Sequence, residues 1–330
     1  MNTKQSVRAR GVPPLPEEIN RQLYRYDHPA DYTDSIHDVG ESEVSFYNEQ
    51  GYLAVRKVFD AQEVREALDS LMGIVLLRSR VSPEQFELEF AEKAARASNN
   101  KSYDEKTGES LIATDAEGQV VKKRPKSPSV QLSRPRDLLH TPEERELATR
   151  KVWNFVDFEP KLRGMAMHPK LLRVVELLLG AKPLLVDDAA LLKPPHSGQE
   201  KPWHQDMAYR GLDYDMRIIG VWIALDEADA ENGCMHVIPR SHMDGGIPHY
   251  SIRDWQICDG NVSVDRDTIV PLEPGGILFF HGMTHHGTPN NLSVKRRRAL
   301  QFHYAPVGSR LMTQQEYRRM FTNEISNAQC

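Results

Sequence analysis

The feature that most constrains this chain is a change of texture at Gly180. Beyond it the apolar residues gather into short runs: Pro183-Leu184-Leu185-Val186, Ala189-Ala190-Leu191-Leu192, Ile218 to Leu225, Met235 to Ile238, Gly276 to Phe280 and Ala299 to Tyr304, separated by Pro, Gly, Asn and Asp. Short apolar runs bounded by turn formers read as strands. Several at turn-punctuated spacing favour a sandwich or jelly-roll barrel over a parallel sheet. Helical patterns precede them. After Asp60, a capping residue, Val64, Ala67, Leu68, Leu71, Met72 and Val75 recur at spacings of three and four and make one apolar stripe. Thr141-Pro142-Glu143-Glu144 is a second helix start, and His168-Pro169 through Gly180 carries a buried face of Leu171, Leu172, Val175, Leu178 and Leu179. Phe46 to Gly51 reads as a short helix ending at glycine, followed by a strand over Tyr52 to Val55. The class is α+β with a mainly β core, and no internal repeat is visible.

The same texture divides the chain. Residues 1–42, rich in Pro, Asp, Glu and Arg with little periodicity, predict an irregular amino-terminal arm. Residues 43–310 predict one domain, and 311–330 a helical tail. Within the domain, 92–136 is a polar insert, expected to be mobile or to fold over a site; its run Lys122-Lys123-Arg124-Pro125-Lys126 reads first as a solvated loop and second as a contact for substrate phosphates. With 27% charged residues and a net charge of −5, nothing points to nucleic acid or an anionic membrane, so a small-molecule partner is expected and the oligomeric state stays open. Cys234, Cys258 and Cys330 show no spacing that suggests a disulfide framework or zinc site, which fits a reducing interior. Met1 to Pro16 lacks the apolar core of a secretory signal, and no window approaches about 18 consecutive apolar residues. A soluble, cytoplasmic protein is expected.

Chemistry enters at Trp203-His204-Gln205-Asp206 and, far downstream, Thr284-His285-His286-Gly287-Thr288. A histidine and a carboxylate two positions apart on an extended segment share a face, so both can grip one ion. A histidine from a distant strand would complete a two-histidine, one-carboxylate triad, which leaves about three of six octahedral positions open and suits non-haem Fe(II). Alternation lets only one of His285 and His286 face the ion. His286 is preferred, since Arg297 lies eleven residues further on, within reach of a turn through Pro289-Asn290-Asn291, and His285 is expected outward or behind the ligands. His236, His242, His281 and His303 read as structural histidines. Arg297 shares a strand face with Ala299, Gln301 and His303, while Arg296 and Arg298 share the other with Leu300 and Phe302; alternation alone does not say which face is inside. A guanidinium can hold a carboxylate through two parallel hydrogen bonds.

These stretches resemble the phytanoyl-CoA dioxygenase family of Fe(II)- and 2-oxoglutarate-dependent oxygenases. The match runs through Phe46 to Tyr52, Lys193-Pro194-Pro195, His204-Gln205-Asp206, Trp222 within Val221 to Leu225, Glu231-Asn232-Gly233-Cys234 leading to Ile238 to His242, and His286-Gly287-Thr288 to Arg297, within a coverage of about 44–310. The resemblance implies a double-stranded β-helix, or cupin-like jelly roll, flanked by helices. It implies His204, Asp206 and His286 as catalytic iron ligands, Arg297 on the distal carboxylate of 2-oxoglutarate with Thr288 beside it, and Gln205, Trp222 and Lys193 about the cosubstrate. Thr288 stands where relatives often have serine, which keeps the hydroxyl, and the 92–136 insert has no match. With O2, family chemistry would decarboxylate 2-oxoglutarate to succinate and CO2 while hydroxylating an unactivated C–H bond; desaturation and epimerisation are alternative outcomes, and a non-catalytic metal-binding jelly roll is the alternative role. Asp206 argues against a halogenase, in which a small residue stands at that position, and the His-Glu-x-x-His pattern of zinc peptidases is absent. The substrate class stays open among acyl-CoAs, amino-acid derivatives, phosphonates and natural products. Met243 to Thr268, containing Tyr250 and Trp255, is a candidate lid.

Overall fold

The computed structural model describes residues 17–76, 87–90, 112–114, 120–122, 129–133, 139–196, 199–324 and 329–330. Seven helices occur among them: α1 (Glu17–Leu23), α2 (Glu41–Gln50), α3 (Ala61–Val75), α4 (Pro142–Ala148), α5 (Pro160–Ala166), α6 (Pro169–Leu179) and α7 (Gln314–Phe321). The strands are β1 (Tyr32–Ser35), β2 (Tyr52–Lys57), β3 (Glu87–Phe90), β4 (Ile112–Thr114), β5 (Val120–Lys122), β6 (Ser129–Leu132), β7 (Thr149–Trp153), β8 (Pro183–Lys193), β9 (Lys201–His204), β10 (Ile219–Ala224), β11 (Met235–Val237), β12 (His249–Ser251), β13 (Trp255–Ile257), β14 (Thr268–Val270), β15 (Ile277–His281), β16 (His286–Thr288) and β17 (Arg297–Pro306).

Local chemistry sets the helix ends. The Asp60 carboxylate accepts from the amides of Gln62 and Glu63, and Glu63 returns to the Asp60 amide. Thr141 makes the same reciprocal cap on α4, ahead of Pro142. Gly51 and Gly180, at φ 81° and 68°, end α2 and α6 in the left-handed region that a side chain disfavours.

Two sheets face one another as a jelly roll. The larger runs β1-β2-β15-β10-β17-β8-β7-β6-β3 and the smaller β14-β11-β16-β9. Alternation along the central strands sorts their side chains. Ile219, Val221 and Ile223 of β10, Ile277 and Phe279 of β15, and Leu300, Phe302 and Tyr304 of β17 join the helices in the larger apolar core. Their neighbours Trp222, Ala224, Leu278, Phe280 and Ala299 face the smaller sheet in a second cluster. Arg297, Gln301 and His303 share parity with Ala299, so their face is the inner one, which alternation alone had left open.

Several expectations change. The stretch read as an irregular arm is ordered from Glu17: it forms α1 and then β1, whose residues Tyr32 and Thr33 pair in parallel with Ala54 and Val55. Its polar composition hides this because β1 is an edge strand, half exposed. Strand β7 follows α4 directly and was likewise not anticipated; Thr149-Arg150-Lys151 lacks an apolar run, and Val152 is the only apolar residue of the strand that is fully buried. Of the 92–136 insert, β4, β5 and residues 129–133 are described and the rest lies outside the described residues. The cysteine reading also changes, since Cys258 and Cys330 form a disulfide across 72 residues with Cα atoms 5.5 Å apart, a pairing that spacing in sequence cannot show. Cys234 is free and buried. Among the described residues no helix is long and apolar enough to cross a membrane.

Candidate active site

Strands β9 and β16 lie antiparallel at the inner face of the smaller sheet with His204 opposite His286, which brings their ring centroids to 4.1 Å. Asp206 begins a 3-10 turn (Asp206–Ala208) directly after β9. Its Oδ1 lies 3.4 Å from Nε2 of His204 and 3.4 Å from Nε2 of His286. One ligand atom from each of the three residues falls within 4.8 Å of the others, and all three residues are buried. Both rings are held by the opposite nitrogen: Nδ1 of His204 is 2.7 Å from the Pro202 carbonyl, and Nδ1 of His286 is 2.9 Å from that of Thr284. A carbonyl only accepts, so Nδ1 of each ring carries a hydrogen and Nε2 of each is the atom turned toward Asp206. Burial, then the neighbouring His286, pushes His204 down to about 3, so it is neutral at neutral pH. Burial alone would raise the Asp206 carboxyl, but His286, His303 and His204 hold it well below the usual carboxylate range. Two imidazoles and a carboxylate form the donor set that a divalent metal of the iron–zinc series takes.

Arg297 opens β17 opposite Lys193 of β8. Its guanidinium carbon lies 5.5 Å over the Trp222 ring. It is 2% exposed, and its Nε and Nη1 have no partner among the described residues, nor has Trp222 Nε1. Burial pushes the guanidinium down to about 10, so it is charged at neutral pH. A buried donor left unsatisfied costs about 1–3 kcal/mol, more for a charged one. Three such donors together mark a place built for an anionic, oxygen-rich ligand. Thr288, also buried, stands two residues after His286 and pairs across to Lys201.

Two residues expected at the cosubstrate are engaged elsewhere. Lys193 Nζ donates to the carbonyls of Gln199, Thr288 and Pro289, so its three hydrogens tie the turn after β16 to β8. Gln205 points away from Asp206, as alternation requires. Its amide donates to the carbonyls of Gly245 and Met283 and accepts from Ile247 N–H, stitching the following segment down. That segment, expected as a lid without strand character, holds the hairpin β12–β13 between 3-10 turns. Trp255 of β13 donates to the Ala208 carbonyl, and so does Tyr317 of α7, so hairpin and tail together cover the turn that bears Asp206. His285 is 4% exposed rather than outward, with its amide donating to Ser241 Oγ.

The residue that strand reasoning missed is His303, read as structural. Its Nε2 lies 2.7 Å from Asp206 Oδ2 and its Nδ1 3.2 Å from Asp187 Oδ2. Burial opposes the charged ring, but Asp206 and Asp187 outweigh it and raise the imidazole to about 9. A signal was present: Gln301 and His303 share the face of Arg297, and polar side chains on the inner face of a barrel require partners.

A family model described as phytanoyl-CoA dioxygenase (PhyH) matches residues 47–299. Phytanoyl-CoA dioxygenase domain-containing protein 1 of Rattus norvegicus is 32% identical over 153 residues, 44% of this chain and 53% of that protein. The peroxisomal phytanoyl-CoA dioxygenase of Bos taurus is 28% identical over 180 residues, 50% of this chain and 51% of that protein. The match thus spans about half the length of these curated relatives. The crystal structure of EvdO2 from Micromonospora carbonacea var. aurantiaca complexed with 2-oxoglutarate superposes with a TM-score of 0.57 at 20% identity, over 86% of this chain and 97% of that one, a likeness of fold. With the matched span covering most of the two sheets and all three clustered donors, the chain belongs to the phytanoyl-CoA dioxygenase family.

Proposed function

We propose that this protein is an Fe(II)- and 2-oxoglutarate-dependent oxygenase that hydroxylates an unactivated C–H bond of a small molecule, releasing succinate and CO2. The observation that carries the reading is the conjunction, on the inner faces of the two sheets, of a buried two-imidazole, one-carboxylate cluster with a buried guanidinium whose Nε and Nη1 have no partner among the described residues. His204, Asp206 and His286 would hold the iron through Nε2, one carboxylate oxygen and Nε2. When bound, the iron and its cosubstrate would supply the oxidising power needed for an unactivated C–H bond.

The remaining work falls to this chain. Arg297 would take the far carboxylate of 2-oxoglutarate, its planar fork suited to two parallel hydrogen bonds, with Trp222 beneath it and the Thr288 hydroxyl nearby. The Pro202 and Thr284 carbonyls keep the Nδ1 hydrogens in place, so neither ring can turn without breaking a hydrogen bond. Gln205 and Trp255 anchor the segment that shields the site from water, which limits side reactions. Asp206 argues against a halide ligand, and among the remaining outcomes hydroxylation is the one we propose.

We also propose a cytoplasmic setting, in which the Cys258–Cys330 bond would be open, since the cytosol keeps thiols reduced. Thiol trapping at lysis followed by non-reducing peptide mapping would reveal a linked pair if the protein resides elsewhere.

The central test is anaerobic visible absorption of the Fe(II)-loaded protein with and without 2-oxoglutarate. A charge-transfer band that is absent in Asp206→Ala supports the site; iron bound without any band refutes the cosubstrate. Product mass then separates the outcomes: gain of one oxygen for hydroxylation, loss of two hydrogens for desaturation, no change for epimerisation.

A further inference from the structure

We infer that Gln301 and His303, backed by Asp187, are positioning residues that restrict Asp206 to a single metal-binding oxygen. The inference deepens the oxygenase reading and rests on it. The two oxygens of Asp206 face different surroundings. Oδ1 looks into the cluster, 3.4 Å from each histidine Nε2. Oδ2 looks back at the larger sheet, where His303 Nε2 is 2.7 Å away and Gln301 Nε2 is 3.2 Å away, the two nitrogens themselves 3.1 Å apart. Imidazole and carboxamide thus converge on one oxygen.

The support is rigid. Both residues sit on β17, between β8 and β10 in the middle of the nine-stranded sheet, with Gln301 opposite Trp222 and His303 opposite Gly220. Behind the ring, Asp187 Oδ2 lies 3.2 Å from His303 Nδ1. The β8–β17 register slips between His303 and Tyr304, leaving Val186 as an extra residue directly beside Asp187. Bulges recur next to active sites because they re-aim side chains.

The chemical reason follows from coordination number. A carboxylate free to rotate can give both oxygens to a metal and occupy a fourth position of six. A two-atom chelate and O2 together need three positions. With Oδ2 committed to His303 and Gln301, Asp206 supplies Oδ1 alone and those positions stay open. The role belongs to these side chains and not to the two iron-binding histidines, whose own outer hydrogen bonds go to backbone carbonyls.

The test uses Co(II), whose visible bands respond to coordination number and which needs no turnover. The full-length protein is titrated with Co(II), followed by equilibrium dialysis and absorption, with and without 2-oxoglutarate. His303→Ala is expected to weaken Co(II) binding by about 10–100-fold, the usual loss when an outer partner of a ligand is removed. At saturating Co(II) its bands should differ from wild type and its 2-oxoglutarate response should shrink. His303→Gln, which keeps a donor towards Oδ2, should recover most of both, and Gln301→Leu should lose less than His303→Ala. Asp187→Asn, whose side chain is 30% exposed and tolerant of change, should shift the bands in the same direction as His303→Ala and decides the matter if that variant fails to fold. Wild-type affinity and bands in His303→Ala or, failing that, in Asp187→Asn would overturn the inference, as would a lowered melting temperature with unaltered bands, the mark of packing alone. A different result identifies failure of the underlying reading: Asp206→Ala binding Co(II) as well as wild type would remove the metal site and this inference with it.

Discussion

The two faces of the nine-stranded sheet do different work with the same strands. On the helix side, Ile219, Val221, Ile223, Leu300, Phe302 and Tyr304 pack against α3, α5 and α6 in a continuous apolar core, where the only polar atom among them, Tyr304 Oη, donates to the Ala166 carbonyl. On the inner side, one residue away along the same backbone, the chain buries Lys193, Arg297, Gln301 and His303. The first face contributes stability through apolar area removed from water, about 25 cal/mol per Å². The second consumes stability, since each buried polar group must recover its lost hydration through a partner. Function has therefore been placed where the rigid outer core can hold unfavourable groups at fixed spacing.

The sharpest way to break this contrast is at its polar extreme. Asp206→Ala should abolish succinate release and lower metal affinity by more than the ~10–100-fold that outer partners command, with far-UV circular dichroism unchanged; retained iron-dependent turnover would sink the ligand assignment. Next comes the apolar face of the same strand. Leu300→Ala is expected to cost about 2–5 kcal/mol in denaturant titration, yet the folded fraction should bind metal as wild type does; a matching loss of metal affinity would show that the faces are not separable. Arg297→Leu should weaken 2-oxoglutarate binding by roughly 1.5–3 kcal/mol, the range for a hydrogen bond to a charged group, without touching Co(II) affinity, and Arg297→Lys should restore only part because it lacks the fork.

A pH profile probes the buried histidines between these extremes. Burial pushes His249 and His281 down to about 3, and each accepts a hydrogen bond from a backbone amide, Gln205 and Met283 respectively, which protonation would destroy. Unfolded, both titrate near about 6.5. The unfolded chain thus binds more protons between the two values, so stability is full above about pH 6.5 and falls as pH drops toward 3. His249→Gln should flatten that slope in thermal melts; an unchanged slope would assign the acid sensitivity elsewhere. The smallest effect is expected at Trp255→Phe, which loses the hydrogen bond to Ala208: substrate KM should rise a few-fold while metal binding holds, and equal loss of both would reject a covering role.

What could be read from the residues alone divides along similar lines. Caps and ends were legible because they are local: Asp60 and Thr141 accept from amides, and Gly51 and Gly180 donate to carbonyls, all within four residues. Alternation is local too, and it put His204 and Asp206 on one face; that His286 joins them was implied by the family resemblance, and the structure groups all three. Lys193 and Gln205 show the limit, since a polar residue on a matching stretch can spend every hydrogen on backbone that only the fold brings near. His303 lies 97 residues from the carboxylate it touches, and Cys258 lies 72 from Cys330. Such pairings leave no trace in spacing, and β1 shows that an edge strand needs no apolar run.

Carrying Arg297 and Gln301 on one strand has a consequence for ligand length. Four residues of strand at about 3.4 Å each set a fixed span of ~14 Å between the backbone supports for the carboxylate anchor and for Asp206, with β8 paired along the whole of it and β10 paired from Ala299 onward. The strand acts as a gauge. In the oxygenase reading, an oxo-diacid one methylene shorter or longer than 2-oxoglutarate could satisfy the anchor or the metal but not both, so discrimination among cosubstrates would be a property of strand pitch rather than of any side chain that touches the difference.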